Sequence, residues 1–192
     1  RAQSLYLWGP WFESKRADFV KIHIPLGSLV RIQEGGLVFS YALVYNSDMN
    51  TTTAKKLGEV LAFATVGNET IESHEVLFRE NLGIEMTAHI IEMNDIHAKN
   101  ITHLADEAGT KAEVLHSKEK AADKLRAMQD IYTKEEKSRD TLFEWLTFSE
   151  GAAYGHWSLV KGMAEAQDNE SLVELAEDAT SFHFELLNHI AR

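Results

Sequence analysis

Cysteine is absent from all 192 residues. That removes disulfides, thiolate catalysis, Cys-based zinc sites and iron–sulfur clusters. Basic residues are scarce beside acidic ones, 19 against 30, for a net charge of −11. A field of that sign repels phosphate backbones and anionic membrane surfaces, so no nucleic acid is expected as a partner. Long apolar runs are missing too. The longest, Leu37–Tyr45, even counting Ser40, falls well short of the ~20 residues a transmembrane segment needs. There is no G-x-S-x-G, Walker A, G-x-G-x-x-G or H-E-x-x-H, which leaves serine hydrolase, nucleotide and metalloprotease chemistry without a motif. No repeat, linker or low-complexity tract is present. The chain opens at Arg1 rather than Met, the pattern expected of a processed, tagged or excised chain.

What the chain does have is nine histidines among its carboxylates. Their setting follows from the organisation of the sequence, which changes character near residue 47. Residues 1–47 read as an N-terminal aromatic arm with a β-hairpin-like segment. Tyr6, Trp8, Trp11 and Phe12 surround a turn at Gly9-Pro10, Phe19–Ile24 alternates, and Leu37–Tyr45 is rich in β-formers after Glu34-Gly35-Gly36. The competing reading, a helix over 28–46, would carry two interior glycines at a cost of about 2 kcal/mol.

Residues 48–192 read as a helical bundle. A short helix is expected from Thr51 to about Val66, stopped by Gly67-Asn68. A long one follows from about Thr70 to Ala108, with an interruption near Gly83. Its stripe is Leu82, Met86, Ile90, Met93, His97, Ile101 and Leu104. Gly109 suits a C′ position and Thr110 to Glu113 a capping box. The helix to about residue 138 has a thin apolar face and should be peripheral. Residues 140–166 are apolar around much of the circumference and should form the most buried helix. Ser171 to Glu174 reads as a further capping box opening the last helix. Short connections imply antiparallel neighbours. The expected fold is mainly α, an antiparallel bundle of four to five helices. Four asparagines stand in N-x-Ser/Thr; Asn50, Asn68 and Asn169 read as helix caps rather than glycan acceptors, and Asn100 falls within a helix.

Three groupings of histidine and carboxylate are candidates for chemistry. Glu85/His89 and Glu185/His189 form a mirrored i,i+4 pair, each on one helical face. Composition alone puts roughly five or six acids at the ±3 and ±4 positions of nine histidines. Seven are found, so this proximity is not enrichment. The hairpin about Gly109 brings His103, Asp106, Glu107, Glu113 and His116 level, as a polar tip. The single Glu-x-x-His, Glu113 to His116, lacks the second copy a dinuclear bundle needs. Finally, His97, His156 and His183 fall on faces that should be buried. With Glu150 they could line one interior polar site, since a buried imidazole needs a partner. Gly151 and Gly155 would make a flat patch on the 140–166 helix, where a neighbouring helix or a flat cofactor could approach.

Two functions fit these residues. The first is a non-catalytic binding or accessory protein, working through helix faces and the aromatic arm in a homo-oligomer or protein complex. The second is a metal-dependent helical-bundle enzyme, an oxidoreductase with ligands among Glu85, His89, Glu150, His156, His183 and His189. Iron, manganese or zinc are the metals such donors would hold.

Overall fold

A computed structural model describes residues 30–34, 37–41, 49–133 and 138–191. The chain divides into two units, Arg1–Asn46 and Ser47–Arg192. In the first, strands β1 (Val30–Glu34) and β2 (Leu37–Tyr41) pair antiparallel, with Val30 opposite Tyr41 and Glu34 opposite Leu37. The aromatic arm at Tyr6–Phe12 and the alternating Phe19–Ile24 lie outside the described residues.

The second unit is helical: α1 (Thr51–Ser73), α2 (Glu75–Leu82), α3 (Ile84–Glu107), α4 (Lys111–Thr133), α5 (Arg139–Ala166) and α6 (Glu170–Ile190). No helix among the described residues is long and apolar enough to cross a membrane. Asn50 caps α1, its side chain accepting from Thr53 N at 2.9 Å, and Asn169 caps α6 through Leu172 N at 3.1 Å. Asn68 does not cap, and Gly67-Asn68 does not end α1. Asn68 accepts from Asn94 and donates to Asp95, each at 2.9 Å, so α3 holds this stretch helical. The breaks come instead at His74 and at Gly83, whose φ of 86° favours glycine.

The α3–α4 turn closes on Gly109 at φ 67°, where Thr110 N donates to Ala105 O and Gly109 N to Asp106 O. The Thr110 hydroxyl turns to Met49 Sδ and Ala105 O, and Glu113 approaches Lys55 at 3.7 Å, so the capping box expected there is not made. The reciprocal box forms at Ser138–Thr141, opening α5.

Cross-helix pairs fix the directions. Asn68 with Asn94 and Met49 with Thr110 set α1 antiparallel to α3. Thr53 with Gln167 and Glu59 with His156 do the same for α1 and α5. Glu150 with His183 and Lys161 with Glu177 set α5 against α6. The pairing of α1 with α4 is parallel: Lys55 meets Glu113, and Glu69 takes a two-pronged bond from Arg126 at 2.8 and 2.9 Å. Gly58 permits this crossing. A Cβ there would lie 2.4 Å from Val114 O and 2.8 Å from Lys118 N, both backbone atoms.

Position in the bundle corrects one expectation. The most buried helix is α1, with eleven of 23 residues buried, against eight of 28 in α5. Helix α1 touches α3, α4 and α5 at once, whereas α5 turns part of its apolar circumference outward. Apolar side chains gather at the two ends of the bundle. Leu57, Ile101, Trp157 and Leu172 belong to one cluster, and Ile71, Phe78, Ile90 and Leu186 to the other. A third cluster around Trp145 and Leu125 joins α4 to α1 and α5.

Candidate functional site

Between the two end clusters lies a polar core. His97 of α3 and His183 of α6 are 1% and 3% exposed, and Glu150 of α5 is 6% exposed. His183 Nδ1 donates to Glu150 Oε2 at 2.5 Å. His97 Nε2 meets Asp178 Oδ2, on the solvent side of α6, at 3.2 Å. The imidazole rings stand 6.1 Å apart, and His97 also lies between Trp157 and Phe182 at 5.6 and 5.7 Å. His97 Nδ1 is buried with no hydrogen-bond partner among the described residues.

Burial pushes the His97 pKa below the ordinary histidine value, and the neighbouring His183 adds to this. Asp178, through its bond and its charge, and Glu150 pull the other way without prevailing. His97 is therefore held neutral near pH 7. Closed in this way, the two imidazoles and their carboxylates tie α3, α5 and α6 together and fix their register. As placed, neither presents a surface to a substrate.

The other sequence candidates are scattered. His156 lies on a different face of α5, half-buried, with Nδ1 3.0 Å from Glu59 Oε2 in an ion-pair approach rather than an aligned hydrogen bond. Its pKa is also lowered, by burial and then by Lys56, against the opposing pull of Glu59. Of the mirrored motif, His89, Glu185 and His189 border one cleft of about 400 Å³ between α3 and α6, all three exposed, and Glu85 is exposed outside its lining. At the α3–α4 tip His103 meets Glu107 at 3.4 Å and Lys111 meets Asp106 at 3.2 Å, a solvated cluster. The six sequence-derived candidates are thus dispersed: Glu150 and His183 share the interior, His89 and His189 share the cleft, and His156 and Glu85 stand apart. Among the described residues, no three His, Asp or Glu side chains converge on a metal position.

The carboxylates that matter were invisible to local spacing. His97, His156 and His183 have no acid three or four residues away; theirs come from other helices, as Asp178, Glu59 and Glu150. The histidines that do have such acids, His89, His103, His116 and His189, are all exposed. An i,i+4 acid marks a solvated helical face, because both partners then share one face with water.

A surface feature completes the picture. Between Glu144 and Glu165, every exposed position of α5 is uncharged: Thr147, Phe148, Gly151, Tyr154, Gly155, Ser158, Leu159 and Gly162. Among the described residues, a Cβ on any of the three glycines would meet nothing within 4 Å. No neighbouring helix among the described residues covers the patch that Gly151 and Gly155 form. Leu159 is 54% exposed, and on the adjoining α6 Phe184 is 55% exposed with its ring 6.1 Å from that of Tyr154. Compared with protein-family models, curated proteins and solved structures, the chain matches none.

Proposed function

We propose that the protein is a non-catalytic binding or accessory helical bundle that associates through the outward face of α5. The observation that carries this reading is the run of uncharged exposed positions from Thr147 to Gly162, with Lys161 held to Glu177, about 22 Å long at the usual helical rise, in a chain of net charge −11. Charge depletion with exposed aromatic and aliphatic groups is the composition of an interface centre. Three exposed mid-helix glycines cost about 1 kcal/mol each relative to alanine, and no contact among the described residues requires them. Close approach by another backbone gives them a use.

A second copy of the chain fits this face. Laid antiparallel about a twofold axis at Gly155, it sets Phe148 opposite Gly162 and Leu159 opposite Gly151, large against small, with Gly155 facing itself. An isologous contact of this kind is the commonest route to a homodimer. The aromatic N-terminal arm is assigned a supporting role in the same assembly. Sedimentation equilibrium tests the reading: a concentration-dependent dimer is expected, abolished by Gly155→Glu with helix content unchanged. A monomer at every soluble concentration would refute self-association.

The second reading, a metal-dependent oxidoreductase, draws on the presence of His97, His183, Glu150 and Asp178 in one neighbourhood. Its test is metal analysis of protein purified without a polyhistidine tag. Stoichiometric iron, manganese or zinc, lost in His183→Ala, would overturn the preference for a binding role.

A further inference from the structure

A groove of about 430 Å³ runs between α1, α4 and α5. Its lining is mostly apolar, with Phe63, Leu125, Met128 and Phe148 contributing the largest side chains. At one end the His156 ring meets Phe63 edge-on, centroids 5.1 Å apart. Lys120 and Lys124 line it from α4, one helical turn apart and both exposed. The other α4 cations are engaged: Lys111 with Asp106, Lys118 with Glu119, and Arg126 with Glu69 and Asp123. Lys120 and Lys124 have no ion pair among the described residues. The one acid in the lining, Glu59, is already met by Lys56 and His156. In a chain with eleven excess negative charges, two unpaired ammonium groups beside an apolar trough form a local site for negative charge.

We propose that this groove binds an amphipathic organic anion, a carboxylate on an unbranched apolar chain, with its head at Lys120 and Lys124 and its tail along Phe63, Leu125 and Met128. The size fits. At roughly 30 Å³ per water-sized group, the groove has room for about a dozen heavy atoms, within the range of small-ligand clefts. Lysine suits the head as a mobile point charge that needs no fixed bidentate geometry. The proposal is independent of self-association. Phe148 borders both surfaces, but the lysines and most of the lining belong to α4 and α1, which the α5 strip does not use.

Calorimetric titration of the whole chain with decanoate, below its micelle concentration, tests this. One saturable site is expected, weakening by up to about sixteenfold on shortening to octanoate, since each of the two lost methylenes is worth about fourfold in affinity when fully buried. Charge reversal in Lys120→Glu/Lys124→Glu should weaken decanoate at least tenfold. Ala152→Phe, which fills the groove from α5, should abolish binding while circular dichroism shows the helices intact. Decyltrimethylammonium binding as tightly as decanoate would overturn the proposal. So would unchanged affinity after charge reversal, the absence of a saturable site, or a groove that takes only an acidic amphipathic peptide.

Discussion

Substituting Gly58 by alanine tests the packing of the bundle at its tightest point. The new Cβ would fall 2.4 Å from Val114 O, 2.5 Å from Ser117 Cβ and 2.8 Å from Lys118 N. Two of these are backbone atoms, so no rotamer relieves the contact, and α4 must move away from α1. Overpacking of this kind costs about 1–3 kcal/mol. The displacement also strains the bond from Ser117 Oγ to Lys55 O, 2.8 Å long, worth about 1 kcal/mol. Against this, replacing glycine by alanine inside a helix returns about 1 kcal/mol. The net expectation is a loss of about 2 kcal/mol, or a fall in Tm of about 4–8 °C for a chain of this size. Gly155→Ala is the matched control. Its Cβ meets nothing, so only the propensity gain remains and the variant should be about 1 kcal/mol more stable. Urea unfolding followed by circular dichroism measures both, at a concentration low enough to keep the chain monomeric. If Gly58→Ala were neutral or stabilising, the parallel α1–α4 crossing described here would be wrong.

The polar core makes two further predictions. Truncating one member of a buried, hydrogen-bonded pair leaves the other's polar atom unsatisfied, so Glu150→Ala or His183→Ala should cost about 1–3 kcal/mol, read from the same denaturation curves. For pH, the unfolded chain binds a proton at the ordinary histidine value of 6.5 while folded His97 resists it. The unfolded state therefore gains protons first as pH falls, and stability is full above about 6.5 and declines below it. His156, shifted in the same direction, adds to the slope. The groups facing His97 are His183, Glu150 and Asp178. His97→Leu should flatten the slope between pH 6.5 and 5, and an unaltered slope would show that His97 does not carry it.

How much of this was legible in the sequence depends on whether a contact is local or remote. Helix α6 could be read from its stripe, from Leu172 through Phe182 to Leu186, because one face of a regular period is buried. Gly109 could be read because a left-handed residue after a helix has few alternatives. Gly67-Asn68 misled because a glycine and an asparagine look like a stop until Asn94 and Asp95 are known to lie opposite. The burial of His97 and His183 followed from their places on apolar faces, but Asp178 and Glu150 arrive from other helices and leave no local trace. The same limit explains α5. Its apolar circumference looked like deep burial, and only the packing shows that Leu159 and three glycines face outward.

Because the chain has no cysteine, a single introduced thiol reports on association without interference. A disulfide requires Cα atoms about 4.4–6.8 Å apart, and the proposed antiparallel α5 pairing would bring the two copies of Gly155 together at its axis. Gly155→Cys should oxidise rapidly to a covalent dimer on non-reducing electrophoresis, and Gly151→Cys mixed with Leu159→Cys should cross-link to each other faster than either does to itself. If these variants cross-link no faster than Ile131→Cys, at a site 79% exposed on α4, the outward face of α5 is not where this protein pairs.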